Sequence, residues 1–449
     1  MDKDLTFFWE IVPGTQCNLT CHNCYAADNA RPDRRLLGWD AMRDALDKAI
    51  AVGMNTVNVL GGEPLAYKHL SRFCEHFAAH VPDGFCGVVS NGTLLTRDRA
   101  KSLADSGVSQ ISVSLDGTVA ATHDQNRGAG AFHRALKGID NTVAARIPLT
   151  IAHTVTQFNL ADTRDVFSLA KNLGADAVGV QITEPAGRGK VSLASATAFS
   201  RAEGLKAIWR MYHTKPPLYT EVSSKSLFKE FLNRFCNAGL SVSPGETCDG
   251  GLTTFMVSSG GDMYPCAEYA YEPDGSQRYE GVNLATDDLS TIEGWIEHEY
   301  ARFNERMRST AATIFDTCQT CEYRESCAPC PMINAEGKVP ECEWVRKKTE
   351  EISEKILKSK PILLIEPTAD SSNISNFEVR TQERPLQIPM STDAFMELMT
   401  CETGYAIADK HMNEDYFREG ASDAVIRFLC ALRSHHVIEI KGFETIVEG

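Results

Sequence analysis

No run of apolar residues in this chain approaches the ~20 that a membrane-spanning helix needs. Basic charge is short as well: 45 lysines and arginines face 60 aspartates and glutamates, a formal net charge of -15. The first absence argues against a helical membrane protein. The second argues against a nucleic-acid partner, because phosphate binding requires a basic face. The acidic, interrupted N-terminal stretch has no apolar core of the secretory kind, so a cytoplasmic location is expected. What remains is the composition of a globular protein, and 449 residues are too many for one ordinary core, which predicts two or three domains.

Cysteine, by contrast, is plentiful. Fifteen are present, several in C-x2-C pairs, and in a reducing compartment such pairs read as metal ligands rather than disulfides. The stretch Pro13-Gly14-Thr15-Gln16-Cys17-Asn18-Leu19-Thr20-Cys21-His22-Asn23-Cys24-Tyr25 places three of them at C-x3-C-x2-C spacing, with no fourth close enough to complete a set. Three thiolates can hold three irons of a 4Fe-4S cube and leave the last iron open to a small chelating ligand. The same residues also admit a zinc knuckle with His22 as fourth ligand, or three buried thiols without a metal.

From Phe7 to about Val180, short apolar runs alternate with segments of helical period. The runs are Phe7 to Val12, Thr56 to Leu60, Gly87 to Ser90, Ile111 to Leu115, Leu149 to Val155 and Ala177 to Ile182. Between them, Ala41 to Val52, His69 to Ala79, Arg97 to Ser106, Ala131 to Ala144 and Thr163 to Leu173 repeat apolar residues at three and four. Six β/α repeats predict an α/β fold with a parallel sheet curling into a partial TIM-like barrel, whose chemistry lies beyond the carboxyl ends of its strands. The cysteine loop follows the first strand. Gly61-Gly62-Glu63-Pro64 follows the second, Ser90-Asn91-Gly92-Thr93 the third and Ser114-Leu115-Asp116-Gly117 the fourth. Glycines admit close backbone approach, an acid or carbonyl can accept from an ammonium, and short polar side chains can take hydroxyls or a carboxylate; each set also fits ordinary turns and helix caps.

The cysteine loop with its Gly-Gly-Glu-Pro sequence resembles the radical SAM enzymes. That resemblance implies that the cluster of Cys17, Cys21 and Cys24 binds S-adenosylmethionine (SAM) and donates an electron to it, giving a 5'-deoxyadenosyl radical that abstracts hydrogen. By the same resemblance Tyr25, Gly61, Gly62, Glu63, Pro64, Ser90, Asn91, Ser114, Asp116 and Arg127 are SAM-binding candidates, Arg127 through a guanidinium fork that matches a carboxylate. Arg188, in Glu184-Pro185-Ala186-Gly187-Arg188-Gly189, is a weaker candidate of the same kind.

Cysteines return in density downstream. Cys248, twelve residues, Gly261, four residues and Cys266 are followed by Cys318-x2-Cys321-x5-Cys327-x2-Cys330 and Cys342. This order resembles the SPASM domain, which carries two auxiliary clusters in enzymes that mature peptides and proteins. The family has three residues where Cys327-Ala-Pro-Cys330 has two. The resemblance implies Cys248, Cys266 and Cys330 for one auxiliary cluster, and Cys318, Cys321, Cys327 and Cys342 for the other. Eight thiolates are needed for two full cubes, and Cys236 is the nearest candidate for the eighth. A pair of zinc ribbons is the alternative. Thr253 to Val257 and Asp262 to Pro265 should form a hairpin; Cys74, Cys86, Cys401 and Cys430, in apolar periodic segments, read as core.

The expected organisation is a radical SAM barrel over 1–190, a helical bridge over 191–235, a SPASM domain over 236–346, and a helix and linker over 347–376. A small α+β domain, of winged-helix type and peptide-interacting, would fill 377–449. The expected function is a peptide maturase with SAM and three 4Fe-4S clusters, acting on a ribosomally made precursor peptide and reduced by a flavodoxin or ferredoxin. A formylglycine-generating sulfatase maturase is an alternative, although those enzymes place an aspartate base after the second SPASM cysteine, where this chain has Ala267 and then Glu268. Glu268 is carried as a candidate catalytic proton acceptor. A noncatalytic iron-sulfur or zinc scaffold is the alternative of another class.

Overall fold

The computed structural model describes residues 4–26, 35–183, 187–189, 200–213, 218–223, 226–236, 238, 240, 253–266, 281–298, 340–358, 361–363, 377–379, 386–388, 429–430, 432 and 438–440. Two compact units emerge, one of residues 1–226 and 242–340, the other of 227–241 and 341–449.

In the first unit, six strands form where the apolar runs lie: β1 (Leu5–Val12), β2 (Met54–Gly61), β3 (Phe85–Ser90), β4 (Gln110–Ser114), β5 (Leu149–Val155) and β6 (Ala177–Ile182). They pair in parallel and in sequence order. Burial alternates along the strands: β1 buries Leu5, Phe7, Trp9 and Ile11 on one face with almost no exposure, whereas Phe8 on the other is 37% exposed. Helices α1 (Trp39–Ala51), α2 (Leu70–His80), α3 (Arg97–Asp105), α4 (Ala120–Arg127), α5 (Ala131–Ala144) and α6 (Val166–Asn172) return the chain between strands. Their apolar stripes supply Met42, Ala45 and Leu46 from α1, and Phe73 and Phe77 from α2. Trp9 meets Phe73 edge-on, ring centroids 5.3 Å apart, locking β1 to α2.

The stretch expected to be a polar helical bridge continues the sheet. Helix α7 (Arg201–His213) buries Leu205, Ile208, Trp209 and Tyr212, and β7 (Tyr219–Ser223) pairs in parallel with β6. On the opposite edge the expected hairpin forms, β8 (Thr254–Val257) with β9 (Asp262–Tyr264), but it also docks: β8 runs parallel to β1, while β10 (Val282–Asn283) extends the row beyond β9. Among the described residues the result is one ten-stranded sheet in the order β10-β9-β8-β1-β2-β3-β4-β5-β6-β7, with two ends that do not pair with each other. It is an α/β fold with a partial, unclosed barrel.

In the second unit, the helix Ser226–Cys236 presents Phe228, Phe231 and Phe235, and the long helix Pro340–Lys358 presents Trp344 against Phe228 and Phe231, with centroids 6.4 and 5.9 Å away. This aromatic contact joins two segments that the expected domain borders separated. Pro361–Leu363 pairs with Ile438–Ile440, and Phe377–Val379 with Leu386–Ile388. The expected helix at 393–400 lies outside the described residues, as do the linker at 367–376 and most of the expected helix at 423–434. No helix among the described residues is long and apolar enough to cross a membrane.

Candidate active site

The cysteine loop leaves β1 at Val12 and is folded by its own backbone and by three neighbouring strand ends. Glu10, 7% exposed, turns the chain by accepting from the Gly14 amide at 2.9 Å. The end of β2 supports the loop from below. Gly61 has φ +140°, and a Cβ there would lie 2.3 Å from the Val12 carbonyl oxygen; a Cβ on Gly62 would lie 2.6 and 2.7 Å from the carbonyl oxygens of Gln16 and Pro13. The two glycines are thus needed for the approach of the cysteine loop itself. Gly62→Ala should displace the loop, and iron bound per chain after anaerobic reconstitution should fall by up to one cube, about four irons, while the far-ultraviolet spectrum is retained. Full iron occupancy in that variant would show that the loop tolerates the methyl.

Glu63 is 1% exposed, not the solvated first-turn acid that its position beside Pro64 also allowed. One carboxylate oxygen accepts from the Ser90 hydroxyl at 2.7 Å and the Leu65 amide at 3.2 Å, the other from the Asn91 amide at 2.9 Å. Burial raises its pKa, and these three donors work against the rise. Ser90 also accepts from the Gly92 amide. Asn91 in turn donates through Nδ2 to Asn18 Oδ1 at 2.9 Å and to Cys17 Sγ at 3.8 Å, while Asn18 donates to the Thr93 hydroxyl. The second and third strand ends therefore form one polar chain that ends on a cysteine sulfur.

The fourth strand end grips the other side. Asp116 is fully buried; Oδ2 accepts from Arg127 Nε at 2.6 Å and Asn126 Nδ2 at 2.7 Å, and Oδ1 from the Thr154 amide at 3.1 Å. Burial, the largest single influence, pushes its pKa up, but the charge and hydrogen bond of Arg127 together with the neighbouring His123 and His153 hold it below the usual carboxylate range. Asn126, so held, accepts from the His22 amide at 2.7 Å with its carbonyl and from the Asn23 amide at 3.0 Å with Oδ1. After β6, Arg188 closes the loop: Nε donates to the Cys21 carbonyl at 2.7 Å and its amide to that of Cys24 at 2.9 Å. Arg188 here holds loop backbone.

The stretch His123-Asp124-Gln125-Asn126-Arg127-Gly128 resembles one found in peptide-modifying radical SAM enzymes, but sequence reasoning assigned no role to its His123 and Asn126, nor to Asn18, His153 or Asn159, whose Nδ2 donates to the Asp116 carbonyl at 2.8 Å. Asn18 stands inside the cysteine motif and was legible there; Asn126 lies 103 residues from the amide it holds, which no local pattern reveals. His123 Nδ1 accepts from the Asp116 amide, and His153 Nδ1 donates to the Leu115 carbonyl. Burial lowers both pKa values, that of His123 to about 4. The His123 ring therefore stays neutral in the fold down to about pH 4. Between pH 6.5 and 4 the unfolded chain binds protons that the folded one does not, so stability falls as pH falls. At pH 5 the His123 contribution is about 2 kcal/mol. Urea midpoints should drop from pH 7.5 to 5, and His123→Gln should flatten the drop; an equally steep profile would remove His123 as its source.

The donor set fits an iron-sulfur cube better than a single ion. No three of Cys17, Cys21, Cys24 and His22 bring their ligand atoms within 4.8 Å of one another, the closeness that one ion requires, whereas a cube spreads its protein ligands over separate corners. His22 instead packs its ring edge-on to Phe158 at 5.2 Å. Burial raises the Cys17 and Cys21 thiols, Cys21 to about 11, so metal binding must displace protons. Of the remaining candidates, Tyr25 is 39% exposed at the loop's end and Ser114 closes β4. Cys236, Cys266 and Cys342 are half-buried, with Cys266 in the first unit and the other two in the second. Cys248, Glu268, Cys318, Cys321, Cys327 and Cys330 lie outside the described residues.

The radical SAM superfamily model matches residues 11–170. An AdoMet-dependent heme synthase of Methanosarcina barkeri is 31% identical over 336 residues, covering 72% of this chain and 89% of that protein. The mycofactocin maturase MftC of Mycobacterium ulcerans is 30% identical over 192 residues, 42% of this chain and 50% of its own. Among solved structures, Streptococcus suis SuiB bound to its precursor peptide SuiA superposes with a TM-score of 0.58 at 17% identity, covering 76% of this chain and 75% of that one, which shows a shared fold. SAM and a 4Fe-4S cluster are the cofactors that this superfamily implies. A cysteine loop braced at the carboxyl ends of parallel strands and a relative matched over most of its length lead to one conclusion: the chain belongs to the radical SAM superfamily of enzymes.

Proposed function

We propose that this enzyme reductively cleaves SAM and uses the resulting radical to take hydrogen from a ribosomally made precursor peptide, leaving it crosslinked, oxidised, epimerised or rearranged. The observation that carries the radical chemistry is the cysteine loop, tied by Asn91, Asn126 and Arg188 to the ends of β3, α4 and β6. A 4Fe-4S cluster held by Cys17, Cys21 and Cys24 would supply one electron to SAM. Arg127 would meet the SAM carboxylate: its Nε is spent on Asp116, and its Nη groups make no hydrogen bond among the described residues. Tyr25, the 61–64 backbone, Ser114 and the other polar strand ends would line the same site.

A polypeptide substrate is supported by the unclosed sheet, which leaves lateral room for an extended chain, and by the mycofactocin maturase relative. The C-terminal residues 377–449 would engage the peptide, the downstream cysteines would hold two further clusters within a SPASM-type region, Glu268 would accept a proton, and a flavodoxin or ferredoxin would deliver electrons. The formylglycine-generating alternative stays disfavoured by Ala267 after Cys266. A second reading, a tetrapyrrole substrate, is favoured by the heme synthase relative.

The test is anaerobic reconstitution, iron counting and detection of 5'-deoxyadenosine under dithionite, with a peptide encoded next to this gene or with iron coproporphyrin III. About twelve irons per chain and deoxyadenosine formation tied to a mass change in the peptide are expected. A mass change in the porphyrin alone would transfer the function to the second reading. Zinc in place of iron, without SAM cleavage, would leave a noncatalytic scaffold.

A further inference from the structure

On the outer side of the first unit, α1 and α2 bring together Asp47, His76 and His80. Among the described residues this is the one group of three whose ligand atoms all lie within 4.8 Å of one another. Nothing in the radical chemistry uses it. We propose that it is a binding site for a divalent first-row transition metal, zinc in the first instance, that joins α1 to α2.

The spacing and the proton positions are those a metal needs. His76 and His80 are four residues apart, which stacks them on one face of α2, ring centroids 4.2 Å apart. His80 Nδ1 lies 2.8 Å from the His76 carbonyl oxygen. A carbonyl can only accept, so Nδ1 carries the proton and Nε2 of the neutral ring presents a lone pair. A backbone carbonyl on the far nitrogen is how metal-bound histidines are commonly oriented. The His76 ring is fixed by an edge contact with Trp39, centroids 6.3 Å apart, and only 17% of its side chain is exposed.

Asp47 reaches across from α1, its Oδ1 2.5 Å from His76 Nε2. In the metal-free protein that nitrogen donates to the carboxylate. On metal binding the cation would take the proton's place, and the His76 proton would move to Nδ1. Zinc bonds of about 2.0–2.2 Å set ligand atoms roughly 3.4 Å apart, so the Asp47–His76 pair must open by about 1 Å. The Asp47 side chain, 48% exposed, has room to do so. Two imidazoles and one carboxylate suit borderline ions, and the open outer side leaves the remaining position to water.

Cobalt(II) is the probe, because its visible bands separate nitrogen and oxygen ligation from thiolate ligation. It is added anaerobically to protein already loaded with iron and sulfide, so that the cysteines are occupied. Wild type should take one equivalent with no thiolate charge-transfer band, and zinc should displace it. The double variant His76→Gln, His80→Gln should lose that equivalent, and Asp47→Asn should weaken it at least tenfold. Iron content and SAM cleavage should remain at wild-type levels in both variants, since none of these residues touches the cysteine loop. Absence of uptake by wild type, retention of the equivalent in the double variant, or thiolate bands on the added cobalt would overturn the assignment.

Discussion

Alanine in place of Cys17, Cys21 and Cys24 together should leave a folded protein whose SAM cleavage under dithionite is lower by at least about a thousandfold, roughly 4 kcal/mol in the barrier. The fold should survive because the three side chains are half-buried in a surface loop and none belongs to the core of the sheet. The activity should not, because no other described cysteine lies on this loop. Iron bound per chain should drop by one cube's worth, while any iron held downstream stays. The decisive comparison is deoxyadenosine formed per chain. If the triple variant cleaves SAM at the wild-type rate, electrons enter SAM elsewhere and the loop is not the site.

The second large effect lies away from the sulfur atoms. Asp116→Ala removes the carboxylate paired with the Arg127 guanidinium, whose side chain is 14% exposed, and leaving a charge so largely buried unpaired costs about 3 kcal/mol. It also frees Asn126, whose carbonyl and side chain fasten the amides of His22 and Asn23. A lower urea midpoint and a lower iron content should appear together. Pairing the change with Arg127→Met separates the two: stability should largely return, because the orphaned charge is gone, whereas iron should stay low, because Asn126 is still unheld. An Asp116→Ala protein with an unchanged midpoint would mean that the ion pair contributes nothing to the fold.

The extent to which these features were legible in sequence follows from how local each one is. The six parallel strands could be read because each buries apolar residues in a short run or at alternate positions, and the cysteine loop because its ligands crowd into eight residues. Helix α7 carried a signal too, Leu205, Ile208 and Tyr212 at three and four, but its polar residues made it look like a bridge. The docking of β8 on β1 could not be read at all, since Thr254 to Val257 looks the same as a free hairpin or as part of a larger sheet. Nor could the roles of Glu63, Ser90 and Asp116 be separated from direct ligand binding. Only their partners in space show that these side chains already spend their hydrogen bonds on the scaffold.

The pairing of β1 with β8 reaches beyond the catalytic end. Thr6 lies against Thr254, so the strand that launches the cysteine loop waits for roughly 250 further residues before its second flank is covered, a long-range closure of the kind that slows folding. Until then its outer row of amides and carbonyls is an unguarded edge, open to capture by another chain. During synthesis, the half of the protein that carries the radical chemistry therefore depends on the arrival of the downstream half for its own solubility.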